Sequence, residues 1–145
     1  MVVLLLLCIM ACLLFILFMD VKVRQIKNRY LICLTFMVLL TWVNQPNWYV
    51  LPYTLMILTA GFFLHAFNIL GAGDTKLLCV ISLGVNPEFL VLLIYITIIL
   101  GGLFALCYLI YGYFTDFELA RQRGVPYAVP ISISGGALIF LSHIS

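Results

Sequence analysis

Apolar residues run along this chain in long blocks separated by short polar stretches. Six blocks can be drawn, at roughly 2–19, 30–43, 51–70, 77–87, 89–111 and 126–142. Helix is the expected state for each, because backbone left open to lipid has its hydrogen bonds unmade. The first block, Val2 to Met19, has 18 residues, and about 17–25 suit a spanning helix. It lacks a basic region ahead of it, so it does not read as a cleavable signal peptide. The 89–111 block is the cleanest and carries no charge. The 30–43 block extends toward Val50 only if Pro46 does not break it. The 77–87 block is the weakest, about half a normal span, and Leu83-Gly84-Val85-Asn86-Pro87 looks like its end.

Composition sharpens this picture. Of 145 residues, 66% are hydrophobic and 8% charged, with a mean hydropathy of +1.28. Soluble domains carry about 25% charged residues. The expectation is therefore an all-α polytopic membrane protein, one transmembrane domain over 1–145, with lipid as its surroundings. The net charge of +2 is too small to argue for a nucleic-acid partner. The basic residues have a different use. Lys22, Arg24, Lys27 and Arg29 fall in the first loop, Lys76 in the third, and Arg121 and Arg123 in the fifth, which accounts for all 7. Under the positive-inside rule these loops are cytoplasmic, which requires six spans and puts both termini outside. Dropping the short fourth helix would place the third and fifth loops on opposite faces.

Other features read as packing. Trp42, Trp48, Tyr49 and Tyr53 suit an aromatic belt at the outer interface. Gly101, Gly102, Ala105, Ser132 and Gly136 suit close helix contact in lipid. The cysteines (Cys8, Cys12, Cys33, Cys79, Cys107) all sit in apolar blocks without C-x-x-C spacing, so they read as soft hydrophobes and no metal site is expected.

Chemistry centres on Asp20 and Asp74, each where an apolar block meets a polar loop on the same predicted face. A carboxylate at the membrane is costly and is a functional hypothesis by default. If the first and fourth helices touch, the two meet, and like charges held close share one proton. The ionised carboxylate then polarises a water to attack a peptide carbonyl, and the protonated one hydrogen-bonds the carbonyl oxygen and later helps the amine depart, as in an aspartic protease; no cofactor or metal is required. Asp20 sits at a helix C-terminus and Asp74 at a helix N-terminus, so the dipole argument expects the proton on Asp20 and the charge on Asp74. Against this stands simple capping, or pairing of Asp20 with Arg24 and of Asp74 with Lys76. Gly71 and Gly73 beside Asp74 suggest unusual backbone angles and close substrate approach, and Lys76 is a candidate for orienting that loop or the substrate.

The wording of these loops carries a resemblance. Asp20-Val21-Lys22-Val23-Arg24-Gln25-Ile26-Lys27-Asn28 resembles the D-x-R-x-x-x-I-P-N stretch of bacterial type IV prepilin peptidases. Gly71-Ala72-Gly73-Asp74-Thr75-Lys76-Leu77 resembles their G-x-G-D-x-K-L motif, and Gly124-Val125-Pro126-Tyr127-Ala128 resembles a V-P-Y-G/A segment before their last helix. The chain is similar to the short form of that family, as in tight-adherence pilus systems, or to a preflagellin peptidase. The resemblance implies Asp20 and Asp74 as catalytic, with Gly71, Gly73, Lys76, Asn28, Pro126 and Tyr127 positioning the motifs or the substrate. It implies a bacterial plasma-membrane endopeptidase that cuts a short basic leader ending in Gly from a prepilin-like precursor, on the cytoplasmic side. It also implies no N-methyltransferase, since the paired-cysteine region of longer members is missing. Lys22 and Lys27 depart from the usual Arg and Pro, and without Pro a looser first loop is expected.

Three side readings complete the expectations. Asp116 and Glu118 either attract a basic leader or belong to a capping box begun by Thr115. His65 and Asn68 share a helix face and suit an interhelical hydrogen bond. The alternatives to a peptidase are a small proton-coupled transporter, disfavoured by the absence of an internal repeat, and a catalytically inactive pilus-assembly subunit.

Overall fold

The computed structural model describes residues 2–23, 26–67, 69–114 and 127–144. Among these the chain forms six helices and no strand: α1 (Val2–Val23), α2 (Asn28–Thr41), α3 (Leu51–Ala66), α4 (Ala72–Leu83), α5 (Pro87–Phe114) and α6 (Ala128–Ile144). A 3-10 turn, Trp48–Val50, leads into α3. The all-α class stands. Arg24, Asn68, Asp116, Glu118, Arg121, Arg123 and Pro126 lie outside the described residues.

The interior of the bundle is apolar: Ile9, Leu13 and Ile16 of α1, Leu34 and Val38 of α2, Leu77 and Ile81 of α4, and Ile139 of α6 are all buried. The exterior is apolar too, with Leu4, Phe36, Phe62, Tyr95, Ile98 and Leu106 among many exposed large side chains. A surface of that extent excludes water as its solvent. Three helical segments, Val2–Val23, Trp48–Ala66 and Pro87–Tyr113, are each long and apolar enough to cross a bilayer. This is a membrane protein.

The remaining helices are shorter, at 14 residues for α2, 12 for α4 and 17 for α6. At 1.5 Å per residue α4 is roughly 18 Å long, against a hydrocarbon core of about 30 Å. Its last carbonyls cannot be left bare at that depth. The Trp42 indole Nε1–H donates to the Leu83 carbonyl at 3.0 Å, and the Asn47 amide donates to the Val85 carbonyl at 3.1 Å. The turn into α5 is tied to the end of α6: Asn86 N–H donates to Ser142 Oγ at 3.0 Å and its side-chain amide to the Ser142 carbonyl at 3.2 Å. Trp42 is thus half-buried and structural, whereas Trp48, Tyr49 and Tyr53 are exposed as a belt would be.

α4 packs against α2, α3 and α6, while α1 packs on α2 and α6, and α5 on α6. Small residues set some of these contacts. A Cβ on Gly135 would come within 2.6 Å of Ile81, and one on Gly136 within 3.0 Å of Met10 Sδ. Gly102 behaves otherwise, with no atom within 4 Å of such a Cβ, so it faces open space rather than a helix.

Bonds at both ends show that α2 and α4 run side by side in the same direction. Their starts are joined by Lys76 and Asn28, their finishes by Leu83 and Trp42. The first and third loops therefore share one end of the bundle, as the six-helix count requires. Trp42→Phe would keep an aromatic ring against Trp48 (now 5.3 Å between centroids) but leave the Leu83 carbonyl bare. We expect a loss of about 1–2 kcal/mol, read as a lower midpoint of reversible unfolding in detergent mixtures.

Candidate active site

Asp20 reaches the interior because of its place on α1. The buried residues of that helix are Leu6, Ile9, Leu13, Ile16 and Asp20, steps of three and four that stay on one face. The helix continues through Val23, so Asp20 belongs to its last turn rather than to the loop, and only 7% of its surface is exposed.

Asp74 likewise lies inside its helix, not ahead of it. Gly71 is the N-cap residue of α4 and Asp74 the third residue of the first turn. Its carboxylate turns back to accept a hydrogen bond from the Gly71 backbone N–H, the reach of a capping-box acid. A Cβ on Gly71 would stand 2.7 Å from Asp74 Oδ2, and one on Gly73 would stand 3.3 Å from Ile26. The two glycines therefore serve close approach. Unusual backbone angles are not involved at Gly71, whose φ of −69° and ψ of 144° suit any residue.

The two carboxylates line one cavity of about 540 Å³ together with Ile26, Lys27, Asn28, Gly71, Ala72 and Gly73. Of the residues expected from sequence, this brings together Asp20, Asp74, Gly71, Gly73 and Asn28. Lys76 stands beside the cavity: its Nζ donates to Asn28 Oδ1 at 3.3 Å, linking the two motif loops rather than pairing with Asp74. Tyr127 is elsewhere, in an apolar cavity between α3 and α5 beside Gly101 and Ile131, and Pro126 lies outside the described residues. His65 does not bridge helices; its Nδ1 meets the Leu70 carbonyl at 3.1 Å within its own loop.

Three contributors were not expected as site residues from the sequence. Ile26 walls the cavity against Gly73. Thr75 donates to the Gly61 carbonyl at 3.4 Å or the Gly71 carbonyl at 3.2 Å, fixing the start of α4 to α3. Its position inside the motif was the available signal. Lys27 lines the cavity and is the N-cap of α2, with φ −72° and ψ 134°. That φ is the value proline would impose, so Lys27 itself stands in a proline-compatible conformation.

Two carboxyls in one buried recess are the arrangement in which like charges held close share a proton.

Lys27→Pro should leave the fold intact and raise stability by about 0.4–1 kcal/mol, measured as a higher unfolding midpoint.

Neither the curated proteins nor the solved structures that were searched gave a match. A family model described as the type IV leader peptidase family matches residues 7–106. That range holds α1 through most of α5 and both aspartates of the cavity. With more than two thirds of its length covered by that model, the chain belongs to the type IV leader peptidase family.

Proposed function

We propose that the chain is an intramembrane aspartic endopeptidase that removes the short basic leader from type IV prepilin-like or preflagellin-like precursors. Family membership supports a peptidase of this broad kind. The observation that carries the assignment to residues is the one cavity that Asp20 and Asp74 both line.

The chemistry follows from that pair. The ionised carboxylate of the pair takes a proton from a water held between the two, and the water oxygen bonds to the scissile carbonyl carbon. The protonated carboxyl gives its proton to the carbonyl oxygen as charge develops there. The first then returns its proton to the amide nitrogen, the C–N bond breaks, and the second recovers its proton from the tetrahedral hydroxyl as the new acid forms. The Gly71 and Gly73 backbone leaves room for an extended peptide to approach, and Lys76 with Asn28 keeps the two loops in register. The basic first loop and Lys76 at this end of the bundle support a cytoplasmic location for the cut, in a bacterial plasma membrane.

Asp20→Asn and Asp74→Asn should each reduce leader removal at least about 10³-fold while leaving membrane insertion intact, scored by precursor mass in cells lacking other such peptidases. Wild-type-like cleavage by either variant contradicts the reading.

A further inference from the structure

Two surface cavities run along the outer face of α4. One, of about 520 Å³, is lined by Leu58, Phe62 and Phe63 of α3 with Ala72 and Thr75 of α4. The other, of about 350 Å³, is lined by Leu31, Ile32 and Thr35 of α2 with Cys79 and Val80 of α4. They share Leu58 and Lys76, so they form one trough with α4 as its floor and α2 and α3 as its walls. The trough also shares Ala72 and Asn28 with the carboxylate cavity. The Lys76–Asn28 hydrogen bond lies at this junction and occupies the trough's charged group.

We infer that this trough is the docking site for the apolar helix of the precursor, lying along α4 with the scissile bond at its carboxylate end. The inference rests on the peptidase reading above. Its support is continuity and order of polarity: a polar, acidic cavity passes directly into an apolar trough, matching a substrate whose polar leader passes directly into an apolar helix. The floor, from Ala72 to Val80 of α4, is roughly 13 Å long and accommodates about two and a half turns of a helix. Walls of Ile32, Phe62 and Phe63 offer dispersion contacts, on which helix association in lipid depends. The apolar cavity between α3 and α5, about 430 Å³, is a poorer host because it shares no lining residue with the carboxylate cavity.

The test uses the full Asp74→Asn chain in liposomes with a photo-crosslinking phenylalanine derivative at Ile32, Leu58 or Phe62, and at Ile98 in the α3–α5 cavity as comparison. The probe is a synthetic precursor with a basic leader ending in glycine, followed by an apolar helix of about 20 residues. Illumination should give adducts with the precursor at the three trough positions, at least about tenfold above Ile98. Adducts with lipid alone, with the precursor at Ile98 alone, or at no position overturn the docking site. Cleavage of the same precursor by the wild-type chain is scored separately by mass. Trough adducts with an uncleaved precursor would keep the docking and remove the peptidase reading. Thr35→Trp narrows the trough away from the carboxylates and should raise KM about tenfold while kcat holds; a lowered kcat with KM unchanged would count against docking.

Discussion

Lipid offers no hydrogen bonds, so every peptide group at membrane depth must find its partner within the protein. In this bundle the demand falls hardest on α4, which stops roughly 12 Å short of a full crossing. The indole of Trp42, the amide of Asn47 and the Asn86–Ser142 pair take up the backbone groups that the helix leaves at its end. They come from α2, its following loop and α6, so the end of this short helix depends on its neighbours for its hydrogen bonds. Its other end carries Asp74. The position of that carboxylate is thereby tied to partners at both ends of the helix.

The same scarcity of polar company governs the carboxylates. Two acids in water would both ionise below neutrality. Here Asp20 continues the buried stripe of α1, and Asp74 folds back over Gly71 into the shared cavity. The two carboxyls thus share one recess of low polarity, where like charges held close are costly.

Much of this was legible in the chain. The apolar blocks located all six helices, and the placement of lysine and arginine argued for keeping the short fourth one. The two motif loops named the cavity's main residues. The spacing of Asp20 from Ile16, Leu13 and Ile9 would have placed its side chain inward, had the block been followed past Met19. What could not be read were relations between distant residues. Nothing local to Trp42 says that its indole serves Leu83, and nothing in Gly61 announces Thr75. Tyr127 looked like part of the site because its motif is shared with relatives, yet its ring sits in a different cavity.

The fastening of α4 at both ends has a mechanical meaning. Bonds from α2, its following loop and α6 hold the Leu83 end, while Thr75 against Gly61 and the Lys76–Asn28 link hold the Asp74 end. Over a lever arm of roughly 18 Å, a tilt of only about 5° would move one end by some 1.5 Å. A short rod pinned at both ends resists that swing, so the carboxyl it carries keeps its alignment.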